Sequence, residues 1–266
     1  MKRCLIITGG KLDLSFAGSF LGQETFDKII AVDAGLEAVK ALGLEPDMIV
    51  GDLDTVKPEV LAYYRRMEHI VWDTHQPEKD ETDTELALLK AQATGCTEVV
   101  VLGATGGRMD HMLGNIHLLF PCLQKGMEAY ILDSQNRIYL IDKERTFNRR
   151  EIWGKYISFL PLTEEVRGIT LTGFKYPLHE KDIEIGTSLC ISNELDKRCQ
   201  YKVYGGDCPC NPDRHRNIAA QHKSRQDIAQ HGRKSNGQAL LEYPVFQTWQ
   251  MAAFPGIHPY NSQDNQ

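Results

Sequence analysis

The sequence predicts an α/β fold: an N-terminal, largely parallel sheet with helices on both faces, followed by a smaller C-terminal antiparallel β-sandwich. Strand and helix patterns alternate through the first half of the chain, whereas short β-rich runs dominate after about residue 135. With 266 residues, 42% of them hydrophobic and 25% charged, the chain can bury the core that such a fold needs.

The first predicted strand is Cys4–Ile7, which stops at Thr8-Gly9-Gly10 and is too short for the apolar core of a signal peptide. Lys28–Val32, Met48–Val50, Val99–Leu102 and Ala129–Leu132 follow as strands. Leu36–Leu42, Pro58–Arg66, Thr84–Ala93 and Met112–Leu123 have helical spacing between them. In parallel sheets of this kind ligands bind beyond the carboxyl ends of the strands. Thr8-Gly9-Gly10, Asp33-Ala34-Gly35, Asp52 with Asp54, and Gly103 to Asp110 all fall there. Arg137–Ile141, Tyr156–Leu160, Gly168–Leu171 and Ser188–Ser192 read as the antiparallel strands, separated by turns such as Glu180-Lys181-Asp182.

A formal charge of -6 speaks against a nucleic-acid partner. No apolar run approaches the roughly 18 to 20 residues of a membrane span. Seven cysteines without paired spacings suit a reducing cytoplasm.

Chemistry concentrates in three motifs: Gly51-Asp52-Leu53-Asp54-Thr55, Asp80-Glu81-Thr82-Asp83, and Gly106-Gly107-Arg108-Met109-Asp110-His111. Dense carboxylates beside glycines and an arginine point to phosphate chemistry assisted by Mg²⁺, a hard cation that takes oxygen ligands. Asp52 and Asp54 reach one metal if the backbone turns between them. Thr82 with Glu85 forms a capping box, which fixes Asp83 in a first helical turn. The loop from Gly103 to Arg108 offers backbone N–H groups and a bidentate donor to phosphate. Asp52-Leu53-Asp54-Thr55-Val56 also imitates the aspartyl nucleophile of a phosphatase, although that nucleophile usually ends a first strand and here at least two strands precede it.

In order and spacing these motifs, with Pro46-Asp47, Lys79, Gly168 to Leu178 and Ser192-Asn193-Glu194, resemble the thiamine pyrophosphokinase family over residues 1 to about 197. The resemblance implies transfer of pyrophosphate from Mg-ATP to thiamine by a homodimer whose substrate cleft lies between subunits. It implies Asp52, Asp54, Asp83 and Asp110 as holders of Mg²⁺ and the ATP phosphates, and Asp54, Asp83 and Asp110 as the catalytic carboxylates. Asp33, Gly35, Gly106, Gly107 and Arg108 would bind the nucleotide, and Asp80, Ser192 and Asn193 would help seat thiamine. Leu195 stands near where many relatives carry an aromatic residue, leaving Trp153 and Tyr176 as stacking candidates by residue type. A nucleotide-binding remnant and a Mg-dependent phosphatase are the alternative functions.

The expected organisation is an α/β nucleotide and metal domain over 1–135, a β-sandwich over 136–197 and a tail over 198–266. Those last 69 residues hold only nine Leu, Ile, Val or Phe, and eight Lys/Arg against five Asp/Glu, a composition expected to stay disordered. Cys199, Cys208, Cys210 and His215 fit zinc spacings poorly. A reading frame moved one base later from Arg198 admits Asp-Ala-Ser-Ile-Lys-Phe-Thr-Glu-Gly-Ile-Val-Leu-Val-Ile-Gln-Thr, a strand, turn and strand, so a frameshift near codon 197 is expected.

Overall fold

The computed structural model describes residues 1–74, 80–149, 152–202 and 217–223. In chain order its elements are β1 (Arg3–Ile7), α1 (Leu14–Leu21), β2 (Lys28–Val32), α2 (Gly35–Ala41), β3 (Met48–Val50), α3 (Pro58–Tyr64), β4 (Val71–Asp73), α4 (Asp83–Ala93), β5 (Glu98–Leu102), α5 (Met109–Gln124) and β6 (Glu128–Leu132). The strands β7 (Asn136–Ile141), β8 (Arg145–Asn148), β9 (Tyr156–Pro161), β10 (Glu165–Phe174), β11 (Leu178–Glu184), β12 (Asn193–Lys202) and β13 (Asn217–His222) complete it.

Strands β4, β3, β2, β1, β5 and β6 lie side by side and parallel, in that order. Their apolar residues are contiguous because helices cover both faces. On one face Cys4, Ile6, Val32 and Val101 pack under Leu88 of α4 and Leu119 of α5. On the other, Leu5, Ile7, Ala31 and Val100 pack under Ala17 of α1, Leu36 of α2 and Tyr64 of α3. Local chemistry starts these helices: the Asp13 carboxylate accepts the Phe16 N–H at 3.1 Å, Pro58 opens α3, and Thr82 Oγ1 accepts the Glu85 N–H at 3.2 Å.

The sheet does not stop at residue 135. β7 pairs antiparallel with β6, Ile131 opposite Ile138, so the two halves of the chain share one continuous surface. β12 then links the layers of the sandwich: Asn193 and Glu194 pair with β9, while its later residues pair with β10 and β8. Phe147, Phe159, Leu171, Phe174 and Tyr201 fill the space between the layers, with Phe159 stacked on Tyr201 at 4.8 Å.

Three expectations are corrected. Ser188–Ser192 is a turn rather than a strand; the Ile191 N–H donates to the Ser188 carbonyl and Ser192 has φ +57°. Glu180-Lys181-Asp182 lies inside β11, where Glu180 at φ +45° marks an irregularity that the strand accommodates by a shift of register. Order also does not end at Lys197. β12 runs on to Lys202, burying Cys199 and Tyr201, and β13 fills the slot between β7 and β9 along its whole length.

The reason is that ladder hydrogen bonds are made by any backbone. β13 then needs only a tolerable inward face, which Asn217, Ala219 and Gln221 supply. The Asn217 amide donates to the Tyr201 hydroxyl at 2.6 Å and the Gln221 amide to the Tyr139 hydroxyl at 3.0 Å, while the Trp153 N–H donates to Gln221 Oε1 at 2.9 Å. Average composition over 69 residues concealed this six-residue strand. Cys208, Cys210 and His215, and the tail beyond Lys223, lie outside the described residues.

Candidate active site

A cleft of about 560 Å³ opens beyond the carboxyl ends of β1, β2, β3 and β5, where the parallel sheet predicts a ligand. Asp33, Asp52, Glu81, Asp83, Gly106, Gly107 and Arg108 are among its lining residues. Ligand atoms of Asp33, Asp52 and Asp54 all lie within 4.8 Å of one another. The turn required between Asp52 and Asp54 is made by Leu53, at φ +63° with its side chain buried under α3. Asp33 likewise leaves β2 with φ +47° and accepts a hydrogen bond from Thr55 Oγ1 at 3.1 Å. The β2 and β3 ends are thus tied together.

The half-buried Asp33 carboxyl is pushed above the ordinary carboxylate range, first by burial and then by the charges of Asp52 and Asp83, against the pull of the Thr55 and Ala34 hydrogen bonds. Mutual repulsion among close carboxylates is what a cation relieves. An all-oxygen donor set suits a hard cation, so the residues present fit Mg²⁺.

Arg108 and Asp110 form a bidentate pair, Nε to Oδ1 at 3.1 Å and Nη2 to Oδ2 at 2.5 Å. That partner, aided by the His111 N–H, holds the Asp110 carboxyl at about 2. The pair is exposed and stands at the start of α5, with Arg108 in the cleft lining and Asp110 outside it.

Not every predicted site residue converges. Asp80 is exposed and outside the lining. Gly35 starts α2 so close to β1 that an added Cβ would meet the Ile7 carbonyl oxygen at 2.2 Å, which makes it a packing residue on the far side of the loop. Asn193 is buried, its amide bonded both ways to the backbone of Tyr176 at 3.0 and 2.8 Å; it shapes that turn. Ser192 is exposed beside it, and the Ser192 N–H donates to Ser158 Oγ. Trp153 packs edge-on against Phe16 and Phe20 of α1, joining the sandwich to the first layer, whereas Tyr176 is 56% exposed. Lys11, Glu81 and Asn115 also line the cleft and were missed; the signal for Lys11 was its place directly after Gly9-Gly10 at a strand end.

Comparison with known proteins decides the family. The thiamin pyrophosphokinase catalytic domain matches residues 23–131, and the thiamin pyrophosphokinase vitamin B1 binding domain matches residues 141–203. The chain belongs to the thiamine pyrophosphokinase family. Thiamine pyrophosphokinase of Bacillus subtilis (strain 168) is 39% identical over 204 residues, 73% of this chain and 90% of that protein. Thiamine pyrophosphokinase 1 of Oryza sativa subsp. japonica is 27% identical over 161 residues, 58% of this chain and 60% of that protein. Among solved structures, the Bacillus subtilis thiamine pyrophosphokinase superposes with a TM-score of 0.72 at 30% identity, covering 84% of this chain and all of that one. Yeast thiamin pyrophosphokinase shares the fold, with a TM-score of 0.67 at 17% identity over 86% of this chain and 88% of that one. The chain is accordingly a thiamine diphosphokinase by family, and among the described residues no helix is long and apolar enough to cross a membrane.

Proposed function

We propose that this chain transfers the terminal pyrophosphoryl group of ATP to the hydroxyethyl oxygen of thiamine, releasing thiamine diphosphate and AMP. The observation that carries the reading is the carboxylate cluster of Asp33, Asp52 and Asp54, the first two of which line a cleft whose other wall is the Gly106-Gly107-Arg108 loop while Asp54 stands just outside the lining. Asp33, Asp52 and Asp54 would hold Mg²⁺, which when bound neutralises phosphate charge and polarises the phosphoryl oxygens. The backbone of Gly106 and Gly107 and the Arg108 guanidinium take the phosphate oxygens on the opposite side. The alcohol oxygen attacks the β-phosphorus, the bond from that phosphorus to the bridging oxygen breaks, and AMP departs with the bonding electrons. Asp83 receives the alcohol proton: it lines the cleft, whereas Asp110 outside it, held at about 2 by Arg108, is a poor acceptor.

Thiamine is seated where two copies meet. Two exposed apolar patches support a homodimer: Met109 and Leu113 at the start of α5, and Tyr176, Leu189 and Ile191 around Ser192. In a two-fold dimer one patch on each copy can meet the other patch on its partner. Buried free thiols at Cys4, Cys96, Cys122, Cys190 and Cys199 suit a cytoplasmic location. The residues beyond Lys197 are read as the product of a one-base frameshift, and a coding sequence without the hydrophobic hairpin in the alternative frame would sink that reading.

The deciding experiment incubates the purified chain with Mg-ATP and thiamine and measures AMP and thiamine diphosphate, with thiamine omitted as control. Thiamine-dependent AMP establishes the kinase. Tight ATP binding without AMP release would instead make the chain a nucleotide-binding remnant.

A further inference from the structure

We infer that Lys11, on the loop between β1 and α1, is a nucleotide-binding residue whose ammonium takes the polyphosphate at the end of the cleft away from the carboxylate cluster. The inference rests on the proposed use of ATP and deepens it.

Lys11 lines the same cleft as Asp33, Asp52, Asp83 and Arg108. Its loop is zipped to the glycine-rich loop: the Lys11 N–H donates to the Gly106 carbonyl at 3.3 Å, and a Cβ on Gly106 would fall 2.3 Å from the Lys11 carbonyl oxygen. The neighbouring Leu12 packs against the core while Lys11 is exposed, so the lysine side chain has no evident packing role.

The strand order supplies direction. In the sequence β5, β1, β2, β3 across the sheet, the metal-binding carboxylates sit at the ends of β2 and β3, and Lys11 and Arg108 follow β1 and β5. Neighbouring strands are about 4.8 Å apart, so the two charge groups are separated by roughly one to three strand spacings. A cation–phosphate chain with metal at one end needs positive charge at the other, and the cleft is built in that sense.

Charge balance makes Lys11 a second cationic donor beside Arg108. Four carboxylates, Asp33, Asp52, Glu81 and Asp83, line the cleft against Lys11 and Arg108 as the lysine and arginine cations. Arg108 is already engaged by Asp110. Among the described residues the Lys11 ammonium makes no ion pair or hydrogen bond, so its donors are available to a phosphate without breaking an internal contact.

The test measures Mg-ATP binding calorimetrically, without thiamine, for the natural chain and for Lys11→Met, Lys11→Arg and Lys125→Met. Lys125 is exposed at the far end of α5 and controls for the loss of one positive charge. Losing one charge-assisted contact weakens binding about tenfold or more. Lys11→Met should show that loss, with the KM for ATP raised and the KM for thiamine unchanged; Lys11→Arg should recover most of it and Lys125→Met should bind normally. Natural chain that fails to bind Mg-ATP overturns the proposed function itself. Natural binding retained within twofold in Lys11→Met overturns the role of Lys11 and leaves the proposed function standing.

Discussion

Replacing Gln221 with alanine tests the element least expected of this chain, the strand β13. Gln221 is 3% exposed and answers one half-buried and one buried group, accepting from the Trp153 backbone N–H at 2.9 Å and donating to the Tyr139 hydroxyl at 3.0 Å. Alanine fills neither role, so both groups lose their partner inside the sandwich. Each buried group left without a hydrogen bond costs about 1–3 kcal/mol, which makes a loss of roughly 2–4 kcal/mol the expected outcome after partial relaxation. That is a large share of the roughly 5–15 kcal/mol of a typical fold. Urea unfolding followed by tryptophan fluorescence reads it as a midpoint lowered by about 1 M, for a slope of roughly 2–3 kcal/mol per M. A double-mutant cycle with Tyr139→Phe isolates one of the two bonds, and a coupling of about 1 kcal/mol is expected. A change within about 0.5 kcal/mol, as for a solvent-facing site, would refute the reasoning and remove β13 from the slot between β7 and β9.

Asp83→Asn should lower turnover by about 10²–10⁴-fold with an unchanged circular dichroism spectrum, and near-normal kcat would exclude Asp83 as the proton acceptor. Because the Asp33 carboxyl is raised, first by burial and then by Asp52 and Asp83, its ionisation opposes folding: the stability tied to its proton is present at low pH and lost as pH rises through the raised value. Asp33→Asn should therefore stabilise the metal-free chain near neutral pH while weakening Mg²⁺ binding, and equal urea midpoints from pH 4 to 8 in both chains would contradict this. Gly35→Ala places a Cβ 2.2 Å from the Ile7 carbonyl oxygen, and a loss of about 1–3 kcal/mol in thermal or urea unfolding is expected as α2 is forced off β1. Full stability in that variant would mean that the contact yields freely.

Local rules set by short segments were legible from the sequence alone. Alternation of apolar runs with helical spacing determined the parallel sheet with helices on both faces, and the capping of α4 by Thr82 placed Asp83 in its first turn. The order and spacing of the motifs were enough for the family only through their resemblance to it, since carboxylates, glycines and an arginine at strand ends by themselves point no further than phosphate chemistry. No helix was expected over α1, which is short and whose Phe16 and Phe20 have Trp153, distant in the chain, among their ring partners.

Tertiary structure alone decided what depends on contacts between remote segments. It brought Asp33 into the cluster with Asp52 and Asp54 through the left-handed turns at Asp33 and Leu53, and it turned Asp110 toward Arg108 and out of the cleft. It also made Asn193 a clamp on Tyr176 and found a place for a strand two of whose three inward residues, Asn217 and Gln221, would not, on composition, belong in a core. A buried glutamine or asparagine is tolerable only where partners wait for it, and Tyr139, Tyr201 and Trp153 wait between 16 and 82 residues away along the chain.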